Sequence, residues 1–223
     1  MLPPSSPLDW TRVKTTLPAR PLPALETRAA IGTERLVLRR TLESDLQSWH
    51  ALRLQKEVME WTSQRRPDPT LEWSREKLRM RLAPDGDAKY EFVVCLAESG
   101  EMIGTVGCHL FVGELGWPVV GYMLGREFWG KGYATELLRA FLAAWWALPR
   151  AEAEVDVERS TVVEGQDGTV EECIVGVTLA GNSPSQRVLT KANLELVKVW
   201  EEANEHEKSG MATMYGFVGK RPA

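Results

Sequence analysis

After residue 33 the hydrophobic positions fall into a succession of strand-like and helix-like runs; before it they do not. Residues 1–32 hold six of the 13 prolines and little periodicity, which predicts an extended arm. "TERLVLRR" changes the pattern to a strand with Leu36 and Leu38 on one face. Thr41 is placed to cap a helix running to about Leu54, with Leu42, Leu46, Trp49 and the stem of Arg53 inward. "RRPDPT" breaks the chain. Thr70 then opens a second helix, with Leu71, Leu78 and Leu82 inward, and "PDGD" ends it. "KYEFVVCLA" and "EMIGTVGCHLF" alternate as two strands around the turn "ESGE", and "PVVGYML" is a fourth strand.

Ala134, Leu137, Leu138, Phe141, Leu142 and Trp145 recur at helical spacing until Pro149 stops them. "VDVERSTVVEGQDGTVEECIVGVTL" reads as a hairpin turning at "GQDG", its second arm continuing as a core strand. "SPSQRVLTKAN" is a short helix with Ser183 as N-cap, Pro184 at its first position and Gln186 closing a capping box. "LELVKVWEEA" and "MATMYGFVGKR" are two final strands. One α/β domain over residues 33–220 with a mixed sheet follows, the arm of residues 1–32 in front of it. Loss of residues 1–28 is expected to leave that domain folded.

Composition narrows the function classes. The chain has 223 residues, 43% of them hydrophobic, enough for one good core. A net charge of −4 and no long Lys/Arg run argue against a nucleic-acid partner. The longest apolar run, Ala140–Leu148, is too short to cross a bilayer, and the first residues show no secretory pattern, so no membrane partner is expected. Cys95, Cys108 and Cys173 lack CxxC spacing and read as reduced, buried thiols of a cytoplasmic protein. His50, His109 and His206 show no ligand spacing, so no metal is expected.

The chemistry concentrates in "WGKGYAT". Gly130 and Gly132 can take backbone angles that other residues resist, and they let a ligand approach the N–H groups. The helix that follows begins with unpaired N–H donors and a partial positive end. Strand, glycine loop and helix together form an anion cradle suited to a pyrophosphate, with Lys131 at its rim. GxxxxGK[ST] and GxGxxG are both absent. A glycine turn that merely connects two elements is the alternative.

The surroundings resemble the GNAT superfamily of acyl-CoA-dependent N-acetyltransferases. The family's [QR]-x-x-G-x-[GA] signature here runs through Trp129, Gly130, Lys131, Gly132, Tyr133 and Ala134, with Trp in place of Gln/Arg. That departure is similar to the branch of ribosomal-protein N-terminal acetyltransferases (RimJ/RimL-like), in which "W-G-x-G-Y-A-T-E" recurs. Thr33–Arg39, "EVMEW" at Glu57–Trp61, "GYML" at Gly121–Leu124 and N-x-x-S at Asn182–Ser185 match in the same order.

The resemblance implies a mostly antiparallel mixed sheet flanked by helices, its central strands splayed to admit pantetheine. It implies acetyl-CoA as cosubstrate, held by Met123, Leu124, Trp129, Gly130, Lys131, Gly132, Tyr133, Ala134, Thr135, Asn182 and Ser185. It further implies direct transfer to a primary amine, either a peptide N-terminus or a small amine. Ser185 would serve the departing thiolate, and Tyr122 and Tyr215 are further candidate acids. Many relatives carry a carboxylate where this chain has Val119, so the base stays open among Glu91, Glu114, Glu127 and a water chain. Glu164, Asp167, Glu171 and Glu172 are expected to form an acidic rim. A CoA-binding sensor or scaffold without turnover is the second reading. A third makes "FLAAWWAL" a protein interface, and a homodimer stays open.

Overall fold

The structure is a computed structural model that describes residues 5–163, 168–205 and 209–222. Two compact units emerge. One comprises Arg20–His109 with Gly121–Ala147; the other comprises Met1–Ala19, Leu110–Val120 and Leu148–Ala223. Both are mixed α/β, and their ladders are mostly antiparallel.

In the first unit the strands β2 (Ile31–Gly32), β3 (Leu36–Arg39), β4 (Tyr90–Leu96), β5 (Met102–Leu110) and β6 (Val119–Leu124) are neighbours in that order. The alternation in β3 works as the sequence predicts, with Leu36 and Leu38 both fully buried. Three helices precede β4: α1 (Leu46–Leu54), α2 (Lys56–Met59) and α3 (Leu71–Arg79). Thr70 caps α3, its hydroxyl accepting from the N–H of Trp73 at 3.1 Å.

Thr41, by contrast, does not cap α1. A 3-10 turn over Glu43–Asp45 intervenes, and the Asp45 carboxylate, forked by Arg39 at 2.7 and 2.9 Å, accepts from the N–H of Leu42. Asp45 is the N-cap of α1 by position, with no side-chain hydrogen bond to that helix; its carboxylate is taken up by Arg39 and Leu42. α4 (Tyr133–Trp146) buries Leu137, Leu138, Phe141, Leu142 and Trp145. Phe141 and Trp145 lie 5.7 and 5.9 Å from the Tyr90 ring, centroid to centroid. The apolar face of "FLAAWWAL" is therefore core, which removes the reason to read it as an interface.

The second unit holds β1 (Trp10–Pro18), β7 (Arg150–Glu158), β8 (Cys173–Leu179), α5 (Ser183–Lys191), β9 (Glu195–Ala203) and β10 (Met211–Lys220). β10 lies between β8 and β9, antiparallel to both, and Val119, which with Val120 belongs to this unit while the rest of β6 belongs to the first, pairs in parallel with Val175 of β8. The expected hairpin is not formed, because β7 pairs with β1 over nine residues, Trp10 opposite Glu158 through Pro18 opposite Arg150. Most of the expected "GQDG" turn lies outside the described residues.

Cross-strand chemistry explains the choice of partner. Arg12, Lys14 and Thr16 stand opposite Asp156, Glu154 and Glu152 on one face, and Val13 and Leu17 stand opposite Val155 and Ala151 on the other. Leu8, Val13, Leu17 and Val155 pack on a core of Leu115, Trp117, Val157, Cys173, Val175, Trp200 and Val218. The arm is therefore a strand of the fold, contrary to the loosely held segment that its prolines suggest. Pro18 ends the strand and does not interrupt it.

A buried ion pair anchors the same region. Lys198 Nζ donates to Glu158 Oε1 at 2.8 Å, and also to the carbonyl of Pro7 and the hydroxyl of Ser6. Both charged side chains are over nine-tenths buried. Burial opposes the charge on Glu158, but hydrogen bonds from Lys198 and Ser160 outweigh it and hold the carboxyl below the usual carboxylate range.

Cys95, Cys108 and Cys173 are all buried and unbridged. Burial pushes the Cys173 thiol up to about 12. Among the described residues no helix is long and apolar enough to cross a membrane.

Deleting residues 1–18 should lower the melting temperature by several degrees or more, because β7 loses its ladder and the core loses Leu8, Val13 and Leu17. An unchanged transition in thermal denaturation followed by circular dichroism would contradict this. Lys198→Met should cost about 3–5 kcal/mol in urea unfolding at pH 7, since Glu158 stays charged and buried without its partner. The depressed folded pKa means that the pair stabilises above the unfolded carboxylate value, near ~4.3, and fades as pH falls through the folded one. The gap between variant and unaltered chain should therefore narrow below about pH 4.

Candidate active site

The loop between β6 and α4 takes the form its glycines allow. Gly130 and Gly132 have φ of +73° and +85°, with Lys131 between them. A side chain at Gly130 would meet nothing within 4 Å, so open space lies over the loop. At both positions the barrier to substitution is the left-handed backbone, worth about 1–2 kcal/mol for other residues. Gly132 is the N-cap of α4, and its carbonyl accepts from the N–H of Glu136 at 3.2 Å. The N–H groups of Tyr133, Ala134 and Thr135 occupy the first turn, where no earlier helical carbonyl exists to receive them. Lys131 is exposed, its ammonium 5.7 Å from the Phe128 ring.

Trp129, the departure from the family signature, has a local role. Its indole N–H donates to the carbonyl of Leu124 at 2.8 Å and ties the loop to the end of β6. The Leu124 carbonyl thus already has one partner within the protein. Gly104 on β5 makes room for this end of β6, since a Cβ there would stand 2.1 Å from the carbonyl of Met123. Tyr122 and Met123 are half-buried on the same strand. Tyr122, Met123, Leu124 and Trp129–Thr135 therefore share one compact unit.

The first helices are bound to this loop. Gln55, between α1 and α2, accepts from the N–H of Arg126 at 2.8 Å and donates to Glu127 at 3.3 Å. Glu57, from the "EVMEW" stretch, pairs with Arg126. Behind them Arg53 forks Asp68 at 2.7 and 2.9 Å, and Asp68 also accepts from Ser74 and Gln64. Burial disfavours the Asp68 charge, but the hydrogen bonds from Arg53, Ser74 and Gln64 prevail and lower its pKa. His50 completes the chain, its Nδ1 2.8 Å from the Ser74 hydroxyl. Ser74 is fully buried and donates to Asp68, an arrangement that braces α1 against α3 and presents no nucleophile. The sequence reading missed this network. The buried Arg53 stem was its one visible signal.

Asn182 and Ser185 lie in the other unit. Asn182, and not Ser183, is the N-cap of α5, its side-chain oxygen accepting from the N–H of Ser185 at 3.2 Å. Gln186 does not close a capping box; it donates to the carbonyls of Leu179 and Ala180. Starting the cap one residue earlier puts the amide oxygen of Asn182 within reach of the third helical N–H and leaves Pro184 inside the first turn. At the helix's other end Asn193 takes φ +64°, a position that otherwise suits glycine.

The base candidates separate by environment. Glu91 pairs with Arg81 at 3.3 Å, and Glu127 is an exposed partner of Gln55. Of the four residues expected to form an acidic rim, Glu171 is exposed and Glu172 is not. Glu172 is buried against Arg150 at 2.7 Å and Thr16 at 3.1 Å, and burial raises its pKa despite them. Glu164 and Asp167 lie outside the described residues, as does His206.

An antiparallel-rich sheet, a β-strand ending in a two-glycine loop and a helix N-terminus behind it define an acyl-CoA transferase type of fold. The family of the Acetyltransferase (GNAT) domain matches residues 35–195, and the chain belongs to it. An uncharacterized N-acetyltransferase, p20 of Bacillus licheniformis, is 34% identical over 86 residues. The match covers 37% of this chain and 48% of that relative's length. A GNAT-family acetyltransferase from Bacillus anthracis superposes with a TM-score of 0.65 at 18% identity, over 86% of this chain and 99% of that one. RimL, a ribosomal L7/L12 alpha-N-protein acetyltransferase solved with coenzyme A, gives 0.63 at 14% identity, over 86% and 98%. At these identities the two structures bear on the fold.

Gly132→Glu would put a carboxylate at the junction of loop and helix, on a left-handed backbone and with its Cβ 3.4 Å from Arg35 Nη2. The variant should lose the rise in melting temperature that coenzyme A gives the unaltered chain, while its own transition stays cooperative. An undiminished rise would remove the loop from the binding site.

Proposed function

We propose that the chain is an N-acetyltransferase that passes the acetyl group of acetyl-CoA directly to a primary amine. The observation that carries this reading is the pair of left-handed glycines, Gly130 and Gly132, opening onto the first turn of α4 within a GNAT domain. The exposed loop fits a pyrophosphate: backbone N–H groups and the helix end supply partial positive charge, and Lys131 adds a full one. Tyr133, Ala134 and Thr135 would give their N–H groups to the phosphate oxygens. Met123 and Leu124 would offer backbone to the pantetheine arm.

The bound thioester supplies an activated acyl carbon. The amine nitrogen bonds to that carbon, the carbon–sulfur bond breaks, and the amine proton leaves while the thiolate gains one. An N–H near Met123 would stabilise the oxyanion formed on the way. Ser185, in the family's N-x-x-S position, would give a hydrogen bond to the departing sulfur, and Tyr122 is the other candidate acid. Val119, buried and paired with Val175, supplies no carboxylate to deprotonate the amine. The acceptor is therefore an amine with a substantial neutral fraction near pH 7. An α-amine with pKa about 7.7–8 meets that demand far better than a lysine near ~10.4. RimL, the ribosomal-protein acetyltransferase above, supports a peptide N-terminus ahead of a small amine.

Release of free thiol from acetyl-CoA, screened against peptides with free N-termini and against small amines, tests this reading. Turnover should depend on the amine, and kcat should rise about tenfold per pH unit below the amine's pKa. Coenzyme binding with no thiol release for any amine would favour a sensor or scaffold. A kcat already flat from pH 6 with an amine of pKa above 9 would reveal a base on the enzyme.

A further inference from the structure

The two ends of the family-like pattern, Thr33–Arg39 and the Glu that follows "YAT", meet beneath the glycine loop. Glu136 Oε1 accepts from the Thr33 hydroxyl at 2.6 Å and from the N–H of Arg35 at 3.0 Å. Its Oε2 is forked by the Arg35 guanidinium, 2.7 Å from Nε and 2.6 Å from Nη2. The third guanidinium nitrogen, Nη1, donates to the carbonyl of Lys131 at 3.1 Å. The guanidinium also lies over the Tyr133 ring at 4.5 Å, and its Nη2 would be 3.4 Å from a Cβ on Gly132. Arg35 therefore touches Lys131 and Tyr133, which flank Gly132 where the chain passes from loop into helix.

A peptide carbonyl and the next residue's N–H are parts of one rigid plane and point in opposite directions. Because the Lys131 carbonyl faces Arg35, the N–H of Gly132 points away from that side chain. The two glycines flanking Lys131 leave this plane free to rotate, so it needs an external hold. We propose that Arg35, locked by Glu136, is a positioning residue that fixes the Lys131–Gly132 peptide and so presets the cradle's N–H donors for the pyrophosphate. The proposal rests on the coenzyme-binding reading.

Two observations separate this role from its neighbours. All three guanidinium nitrogens are engaged within the protein, and its charge is matched by Glu136. A direct hand in phosphate binding would have to use the remaining N–H groups of Nη1 and Nη2. Burial of Glu136 works against its charge, but the hydrogen bonds from Thr33 and Arg35 prevail and keep it below the usual carboxylate range. The clamp is thus closed at neutral pH. Glu136 is also a negative charge in the first turn of α4, and by Coulomb's law alone its removal would favour an anion at the helix end. The sign of the effect on coenzyme affinity therefore decides the role.

The test is calorimetric titration of the full chain with coenzyme A, using Glu136→Gln, Arg35→Gln and Arg35→Lys, with melting temperatures recorded for each. Loss of a supporting partner should weaken coenzyme binding about tenfold in Glu136→Gln. Arg35→Lys should weaken it similarly, because a point ammonium cannot fork Glu136 and hold the Lys131 carbonyl together. Thermal stabilisation by acetylpantetheine, which lacks the phosphates, should be unchanged in both. If Glu136→Gln does not fold, Glu136→Asp, which keeps the charge but draws the carboxylate back from Arg35, takes its place: weaker coenzyme binding supports the clamp and unchanged binding overturns it.

Equal or tighter coenzyme binding in Glu136→Gln, with weaker binding in Arg35→Gln, would make Arg35 a phosphate ligand and overturn the clamp. A lower melting temperature with unchanged affinity in the folded variants would also overturn it and leave a plain staple between β3 and α4. No binding by the unaltered chain would overturn the coenzyme reading itself, whatever the variants do.

Discussion

The helix α4 has to satisfy two demands at once. Its flank must be buried, and its first turn must keep N–H groups available. Leu137, Leu138, Phe141 and Trp145 are fully buried, which fixes the helix axis against the aromatic cluster of Tyr90 and Phe92. A helix fixed along its length cannot shift to satisfy its own N-terminus, so the donors there are left to capping groups, water or a ligand. Gly132 caps through its backbone alone and brings no side chain to occupy them. A Ser or Asp at that position would bring a side-chain acceptor to the donors that the cradle depends on, and would have to take the left-handed backbone at a cost of about 1–2 kcal/mol. The loop forgoes stability at the place where a ligand would supply it.

The second constraint lies in the other unit, where the arm and the stretch between α4 and β8 complete each other. Neither β1 nor β7 has another strand neighbour in its two-stranded sheet. Each needs the other for its ladder and for its charged face. The segment after β7 adds a third contact, Val170 donating to the carbonyl of Lys14 while Thr15 donates to the carbonyl of Val170. The buried carboxylates at the two ends of β7's neighbourhood behave oppositely. Glu158 is held charged by Lys198 and Ser160, whereas burial dominates at Glu172 and favours its neutral form. Glu158 therefore stabilises the neutral-pH fold, and Glu172 contributes less there than its contacts with Arg150 and Thr16 suggest.

Strong periodicity made most of this architecture readable. The alternation around Leu36 and Leu38, the helical stripe of α4 and the Thr70 cap each depend on local chemistry, and each is present in the structure. The positive-φ glycines were legible for the same reason, since a lone glycine pair before a helix has few uses. What escaped depends on residues far apart in the chain. Trp10–Pro18 reads as a proline-rich arm until Glu152, Glu154 and Asp156 are set opposite it. Asp45, and not Thr41, stands at the N-cap of α1 because a 3-10 turn comes between them. Asn182 displaces Ser183 through a one-residue difference in where the backbone turns. The Arg53–Asp68–Ser74 network spans 22 residues of loop and helix and leaves no periodic trace.

The same distinction bears on the site. Trp129 looks like a deviation when the signature is read as a string, because the signature's Gln or Arg is polar. In the fold its indole N–H supplies the one polar function needed at that point, a donor to the carbonyl of Leu124. A donor on a flat, rigid ring ties strand to loop with little side-chain entropy to lose, and the open space above the loop stays clear of a flexible charged chain. The tryptophan supplies this hydrogen bond without a charge. Positive charge for an anionic ligand then has to come from Lys131 and the helix end, both of which this loop provides.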